Sequence, residues 1–509
     1  MNLVSRAGDR LLEVEEDCRL CEEVGMASEE GSGSEVPLLT SKDVEKAERR
    51  ERVACVALCV LLLLNVVGFI GRQREGPPRS EWLGKAVRDA ELAAMELCSG
   101  HGHVFVDTNE VSADGKPVCE CHECFTGPDC SVSMGECVAD VDVGDPLLFE
   151  EYWKSNPDLG TVVIPGWYRM SYFANDAQRM FYTDALTASI RELHALAGNA
   201  VTEGRYIAVG NGAMQLINAI VRGLALQDTD AVSPVVATAP YYNMYYTQTS
   251  FLDSRHYGWA GEPEYGHEDS TKRGVQIQLI ASPNNPTATI QDVPSDFKGH
   301  VVYDYAYYWP HLTPITKAAD SDIMVFTFSK ITGHAGNRIG WAILKDFDLY
   351  QKVSQYVFLS TGGVSHDAQL RATQIMRDVI KSYVGTTPLG SQGIFHFGHE
   401  VLESRRARMQ AILGKSTRFT LQELKPEYCN FFGKISAPSP AYAWIHCNRE
   451  EDVNCNEVMK TAGIIGRPGG EFGSSDRYVR FSMLKRQANF EILATHLLNL
   501  VSQTCENGE

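Results

Sequence analysis

At 509 residues the chain is longer than one ordinary domain, and about two or three units are expected. Hydrophobic residues at 44% and charged residues at 22% allow a large folded core. The formal net charge of −19 excludes nucleic acid as a general partner, because phosphate binding needs concentrated Lys and Arg.

Residues 1–52 read as a disordered, acidic tail. They hold Glu13, Glu15, Glu16, Asp17, Glu22 and Glu23, the run Gly31-Ser32-Gly33-Ser34 and no aromatic residue. Such a segment buries too little apolar surface to offset its chain entropy. The next stretch, Val53 to Ile70, is uncharged for 18 residues. As a helix it would span about 27 Å, close to the hydrocarbon thickness of a bilayer. It begins too far from the N-terminus for a cleaved signal peptide and ends on no small-residue cleavage site. A single transmembrane anchor over 53–71 is expected, followed by a linker over 72–97. Arg49, Arg50 and Arg52 before it are nearly balanced by Arg72, Arg74 and Arg79 after it, so flanking charge barely orients the span.

Orientation comes instead from cysteine. Cys98, Cys119, Cys121, Cys124, Cys130 and Cys137 fall among Gly100, Gly102, Gly115, Gly127 and Pro128. So short and turn-rich a stretch has no core of its own and needs covalent staples. Zinc is the competing reading, since Cys121-x-x-Cys124 has ligand spacing and His101, His103 and His122 lie near it. Six cysteines exceed what one tetrahedral site requires, and no second Cys-x-x-Cys pair stands at a suitable distance. The string CECHECFTGPDC resembles the end of an epidermal-growth-factor-like module, assigned here to residues 98–140. Three disulfides and no metal are expected. That places the tail in the cytosol and everything after the anchor in an oxidising lumen, on a single-pass protein of the secretory pathway, with the endoplasmic reticulum as the expected compartment.

From 141 to 509 helical and strand patterns alternate, which suggests an α/β fold. Val275–Ala281, His300–Tyr303 and Ile323–Phe328 read as buried strands running into SPNNP, Asp304 and Ser329-Lys330. Tyr206–Val209 leads into Gly210-Asn211-Gly212 and a helix on which Met214, Ile217, Val221 and Leu224 share a face. Open α/β sheets bind ligands beyond the carboxyl ends of their strands, so four strand ends are aimed at one crevice. Singly, each motif has an ordinary explanation: a solvated Ser-Lys loop, an Asp that caps a helix, an Asn-Asn-Pro turn.

Taken in order, Asn285-Pro286, Asp304-x-Ala306-Tyr307, Ser329-Lys330 and Arg338 resemble the signature of fold-type I aminotransferases. The strings DYAYYWPHLTPIT and FTFSKITGHAGNRIGWAI are similar to the plant tryptophan aminotransferase-related and alliinase family, and the likeness runs from about Asp142 to Leu497. This resemblance implies a large, mainly parallel sheet domain (about 180–385) and a small α+β domain (141–179 with 386–509). It implies pyridoxal phosphate, held by Lys330 as a Schiff base, with Lys330 also moving the proton at the substrate's Cα. Asp304 would face the pyridine nitrogen, and Asn285 and Tyr307 the phenolic oxygen. Arg338, with Ser329 or Thr327, would hold the phosphate together with the helix N-terminus at Gly212, Ala213 and Met214. Many relatives carry Ser or Thr at the last two positions, so this chain keeps backbone donors there without hydroxyls. Tyr305, Ala306 and Phe328 belong to the cofactor-binding strings. Tyr242, in preference to Tyr241, would stack on the ring. Tyr172 would reach the phosphate of a facing subunit, which calls for a homodimer. Arg480, in YVRFSML, would take the substrate α-carboxylate bidentately; its bland alternative is a surface arginine on an edge strand.

Two reactions share such a site. One is transamination, most simply of L-tryptophan to indole-3-pyruvate with a 2-oxo acid as acceptor, an auxin-forming step. The other is alliinase-type cleavage of the C–S bond of cysteine sulfoxides. SKITGHAG and AYYWPHLTPIT lean towards the first, as does an anchor where alliinases have a cleaved secretion signal, and the cysteine-rich module leans towards the second. A non-catalytic, membrane-tethered binding protein is the alternative from another class, but it would be marked by loss of Lys330, Asp304 or Arg338, and all three are present.

Overall fold

Runs of β-branched and aliphatic residues become the strands of one seven-stranded sheet. These are β1 (Tyr206–Gly210), β2 (Ser233–Val236), β3 (Tyr257–Gly261), β4 (Ile277–Ala281), β5 (His300–Asp304), β6 (Ile323–Thr327) and β7 (Gly340–Leu344). In the computed structural model residues 98–506 are described, apart from 105–117, 136, 158, 176–179, 227–230, 253, 265–273 and 385–392. The expected tail, anchor and linker therefore lie outside the described residues. Among those described, no helix is long and apolar enough to cross a membrane.

The strands lie in the order β1-β7-β6-β5-β4-β2-β3. β7 runs antiparallel to both neighbours, and every other pairing is parallel. Strands β4, β6 and β7 are buried along their whole length, as expected where helices cover both faces of a parallel sheet. The four strand ends singled out by sequence, Gly210, Ala281, Asp304 and Thr327, share one sheet edge. The opposite direction of β7 brings its start at Gly340 to that same edge, where it pairs with both Gly210 and Thr327.

The helices, in chain order, are α1 (Glu150–Ser155), α2 (Asp184–Ala197), α3 (Ala213–Ala225), α4 (Met244–Phe251), α5 (Phe347–Thr361), α6 (His366–Val384), α7 (Ile394–Leu413), α8 (Cys455–Thr461) and α9 (Gln487–Glu506). α3 packs on α5, α2 on α6 and α7 on α9. The expected stripe on α3 was too narrow: Leu216, Ala219 and Ile220 are buried beside Ile217, Val221 and Leu224, because the helix lies between the sheet and α5. A second sheet is antiparallel: β8 (Phe419–Leu421), β9 (Tyr442–Cys447), β10 (Arg467–Pro468) and β11 (Tyr478–Ser482), in the order β8-β9-β11-β10.

The N-terminal module consists of two short hairpin-like pairings, Gly102–His103 with Glu120–Cys121 and Phe125–Thr126 with Val132–Ser133. Three disulfides staple it: Cys98–Cys119, Cys121–Cys130 and Cys124–Cys137. A fourth, Cys447–Cys455, was not anticipated; it ties the end of β9 to the start of α8. The module also ends earlier than expected. Ala139–Asp140 forms a parallel pair with Ile464–Ile465, and Ala139 and Val141 are buried in the main core, so this strand belongs to the enzyme domain.

Candidate active site

Asp304 ends β5 and is buried. Its Oδ2 accepts from the Tyr245 hydroxyl at 3.0 Å and its Oδ1 from the Ala306 amide at 3.1 Å. Burial pushes its pKa up to about 6, against these two hydrogen bonds, and among the described residues no cation pairs with it. A buried carboxylate without a counter-charge is what a protonated pyridine nitrogen would satisfy.

The β6 strand delivers Lys330 through one turn of 3₁₀ helix, Phe328–Lys330, opened by the Thr327 hydroxyl, which accepts from the Ser329 amide. Thr327 Oγ1 also lies 3.0 Å from Ser329 Oγ. Lys330 Nζ donates to the Gly144 carbonyl at 2.5 Å, and its own carbonyl meets His311 Nε2 at 3.0 Å. The approach at Gly144 requires glycine, since a Cβ there would lie 2.3 Å from the Tyr442 hydroxyl.

From Tyr442 a chain of polar contacts runs through the site. Its hydroxyl is 2.8 Å from that of Tyr307, which in turn accepts from Asn285 Nδ2 at 3.5 Å. Asn285 Oδ1 accepts from Arg480 Nη1 at 3.0 Å. Burial raises both phenols. In Tyr442 this is outweighed by the charges of Lys330 and Arg480 and by the bond to Tyr307, so its pKa falls below the ordinary value, while that of Tyr307 stays well above.

Arg480 is not a surface residue. It is 2% exposed, on β11 between β9 and β10. Its Nη2 donates to the Asp142 carbonyl at 2.5 Å, and its guanidinium lies 4.2 Å from the ring centre of Tyr442 and 5.1 Å from that of Phe472. Tyr242 packs edge-on against Tyr245, and burial lifts its phenol to about 12, with Asp304 and Tyr442 among the charges it feels. Tyr241 turns instead towards Trp259 and Gly473.

At the other end of the cluster, Gly212 precedes α3 with φ +83°, and a Cβ there would meet Arg338 Nη2 at 2.3 Å. Glycine thus lets the guanidinium lie against the helix N-terminus, which has no side-chain cap among the described residues; backbone amides at such an end suit an anion. Arg338 itself adopts φ +52° and reaches the Asn211 carbonyl with Nη2 at 3.4 Å. A cavity of about 770 Å³ opens here, lined among others by Asn211, Arg338 and Arg371. Tyr172 lies on the surface, 77% exposed, with its ring 3.8 Å from where a Cβ on Gly362 would be.

Two expected residues do not join the cluster. Tyr305 bonds Ser321 and stacks with Tyr303 and Phe326, because its side chain points to the opposite side of the strand end from its neighbours. Phe328 is a core residue packed on His334. Tyr442, Tyr245, Gly144 and Arg371 were missed: they carry no local motif, and only the tertiary fold brings them to the strand ends. The uncapped, glycine-opened helix end, the uncompensated Asp304 and the lysine after β6, all at one sheet edge, fit a phosphorylated pyridine.

Comparison with known proteins agrees. The allinase family model matches residues 139–501 and the alliinase EGF-like domain model residues 81–137. Tryptophan aminotransferase-related protein 3 of Arabidopsis thaliana is 42% identical over 83% of this chain and 91% of its own length. Alliin lyase 2 of Allium sativum is 38% identical over 87% of this chain and 94% of its own. The fold is similar to that of an aminotransferase from Staphylococcus aureus, with a TM-score of 0.51 at 17% identity, over 72% of this chain and 94% of that one. The chain is thus a pyridoxal-phosphate-dependent enzyme of fold type I, and it belongs to the alliinase family.

Proposed function

We propose that the enzyme transaminates an aromatic amino acid, L-tryptophan to indole-3-pyruvate, with a 2-oxo acid as amino acceptor. The observation that carries this reading is the setting of Arg480: a buried guanidinium flanked by the rings of Tyr442 and Phe472, which suits a carboxylate whose side chain is itself aromatic. Pyridoxal phosphate supplies an electron sink for the pair left on the substrate's Cα. Lys330 holds the cofactor and, once free, takes the Cα proton on Nζ. Asp304 keeps a positive charge on the pyridine nitrogen. Asn285 and Tyr307 hold the phenolic oxygen, and Asn285 in addition positions Arg480. Arg338, the amides of Ala213 and Met214 and the hydroxyls of Thr327 and Ser329 hold the phosphate. Tyr242 covers the ring.

The second reading, C–S lysis of a cysteine sulfoxide, is favoured by the alliinase EGF-like module. The two are separated by products: with L-tryptophan and a 2-oxo acid the first gives indole-3-pyruvate, whereas the second gives pyruvate and ammonia from a cysteine sulfoxide without any acceptor. Accumulation of pyruvate and ammonia with no keto acid from tryptophan would reject the first.

Arg480→Ala is expected to raise KM for the amino acid about 100-fold, since losing one member of a buried charge pair costs ~2–5 kcal/mol. Arg480→Lys should recover only part, because an ammonium cannot match the bidentate fork. Steady-state kinetics at saturating cofactor checks both. A homodimer is supported by the exposed Trp167, Met170 and Tyr172, which call for cover. The disulfides support a secretory or extracellular location for the enzyme domain, and the apolar run over 53–71 an anchor in the endoplasmic reticulum membrane.

A further inference from the structure

The histidines that sequence offered to zinc are not gathered by cysteine, since Cys121 and Cys124 are both in disulfides. Two of them meet a carboxylate of the enzyme domain instead. His103 ends one strand of the module and His122 directly follows the strand paired with it, where Gly102 stands opposite Cys121, and their rings pack edge-on with centres 4.6 Å apart. Glu150 comes from the first turn of α1. One ligand atom from each of the three lies within 4.8 Å of the others, and His103 Nε2 is 3.6 Å from Glu150 Oε2. His122 Nε2 is buried and has no hydrogen-bond partner among the described residues.

We propose that His103, His122 and Glu150 form a transition-metal site, of the kind that takes Zn²⁺, which clamps the disulfide module onto the enzyme domain. Three neutral-nitrogen and carboxylate ligands leave a fourth tetrahedral position for water. Zinc bonds of ~2.0–2.2 Å at tetrahedral angles set ligand atoms ~3.3 Å apart, so the cluster closes by about an ångström or less per side chain. Arg486 donates to Glu150 Oε2 from Nε at 2.7 Å and to Oε1 from Nη2 at 2.8 Å. With a metal on Oε2, the Oε1 bond remains and fixes the carboxylate from outside the coordination sphere. The two imidazoles select against Ca²⁺ and Mg²⁺, which gain little from nitrogen donors and need several oxygens. Glu123, next to His122, reaches Lys485 at 3.4 Å and bonds Asn489 at the start of α9, so the module already abuts the enzyme domain beside the cluster.

The test uses tag-free, full-length holoenzyme treated with EDTA, dialysed and titrated with ZnCl₂ by calorimetry. About one ion per chain is expected, with no comparable uptake of Ca²⁺ and a zinc-dependent rise in melting temperature. His122→Ala should weaken binding at least about 100-fold and remove that rise, while His101→Ala, whose ring stacks on Phe125 outside the cluster, should change neither. Because Glu150→Gln also loses the Arg486 ion pair, His122→Ala is the deciding variant. A zinc-edge anomalous map of soaked crystals gives a second readout, with a peak expected within ~2.2 Å of both imidazoles. No saturable uptake, equal binding by His122→Ala, or an anomalous peak elsewhere on the chain would overturn the proposal.

Discussion

Replacing Lys330 by alanine is expected to lower turnover by about 10⁴-fold or more, the upper range of what one positioned acid–base group supplies. The loss would be large because the proposed mechanism gives the residue two duties, holding the cofactor and moving the Cα proton. Tyr442 feels the charge of Lys330 and is bonded to Tyr307, yet a phenol cannot replace an amine as the covalent tether. The fold should survive, because among the described residues Lys330 Nζ makes a single hydrogen bond, to the Gly144 carbonyl. The variant is therefore expected to melt close to the parent, to bind cofactor through its phosphate and to lack the yellow colour of the lysine-bound form. Kinetics, absorbance and calorimetry on one preparation check all three. Residual turnover within tenfold of the parent would remove Lys330 from the chemistry.

Asp304→Asn should carry the second-largest loss, about 10²–10³-fold in kcat, similar to removing one preorganised electrostatic group from an active site. Asparagine keeps the shape of the side chain and can still accept from the Ala306 amide. It cannot hold a positive charge on the pyridine nitrogen, so the electron sink weakens. The cofactor-free protein gives an independent readout through pH. The folded-state pKa of Asp304 is raised from 3.8 to about 6 by burial. Its contribution to stability is thus complete below the unfolded value and is lost as pH rises through about 6. Cofactor-free Asp304→Asn lacks that loss, so its melting temperature should gain on that of the cofactor-free parent between pH 4 and 6 and hold the gain above. In the parent, cofactor should restore more stability at pH 7 than at pH 5, since it brings the missing positive charge. Parallel pH profiles for parent and variant would show that Asp304 carries no buried charge.

Legibility from sequence followed the distance over which each signal acts. Strand ends were readable because β4, β5 and β6 are local apolar runs that stop on polar residues, and the parallel pairing sends those stops to one edge. Lys330, Asp304, Asn285 and Arg338 could be found for that reason. Arg480 could be named, but not its depth: a strand of alternating residues looks alike at a sheet edge and between β9 and β10. Gly144 and Tyr442 were invisible, since they lie on separate segments some three hundred residues apart and meet only because each packs against the strand edge that holds Lys330. Tyr305 misled for the opposite reason: it sits inside a family string, but alternation about the strand end turns its ring towards Tyr303 and Phe326. The Cys447–Cys455 bridge was likewise hidden, because two cysteines outside a dense cluster carry no spacing signal.

Everything in the site turns on which lysine carries the cofactor. Treating the holoenzyme with borohydride fixes that bond irreversibly, and peptide mapping by mass spectrometry then locates the pyridoxyl group. It should be found on the peptide containing Phe328-Ser329-Lys330, at close to one group per chain and at no other lysine. Labelling of a different lysine, or of none, would contradict the assignment of the active site.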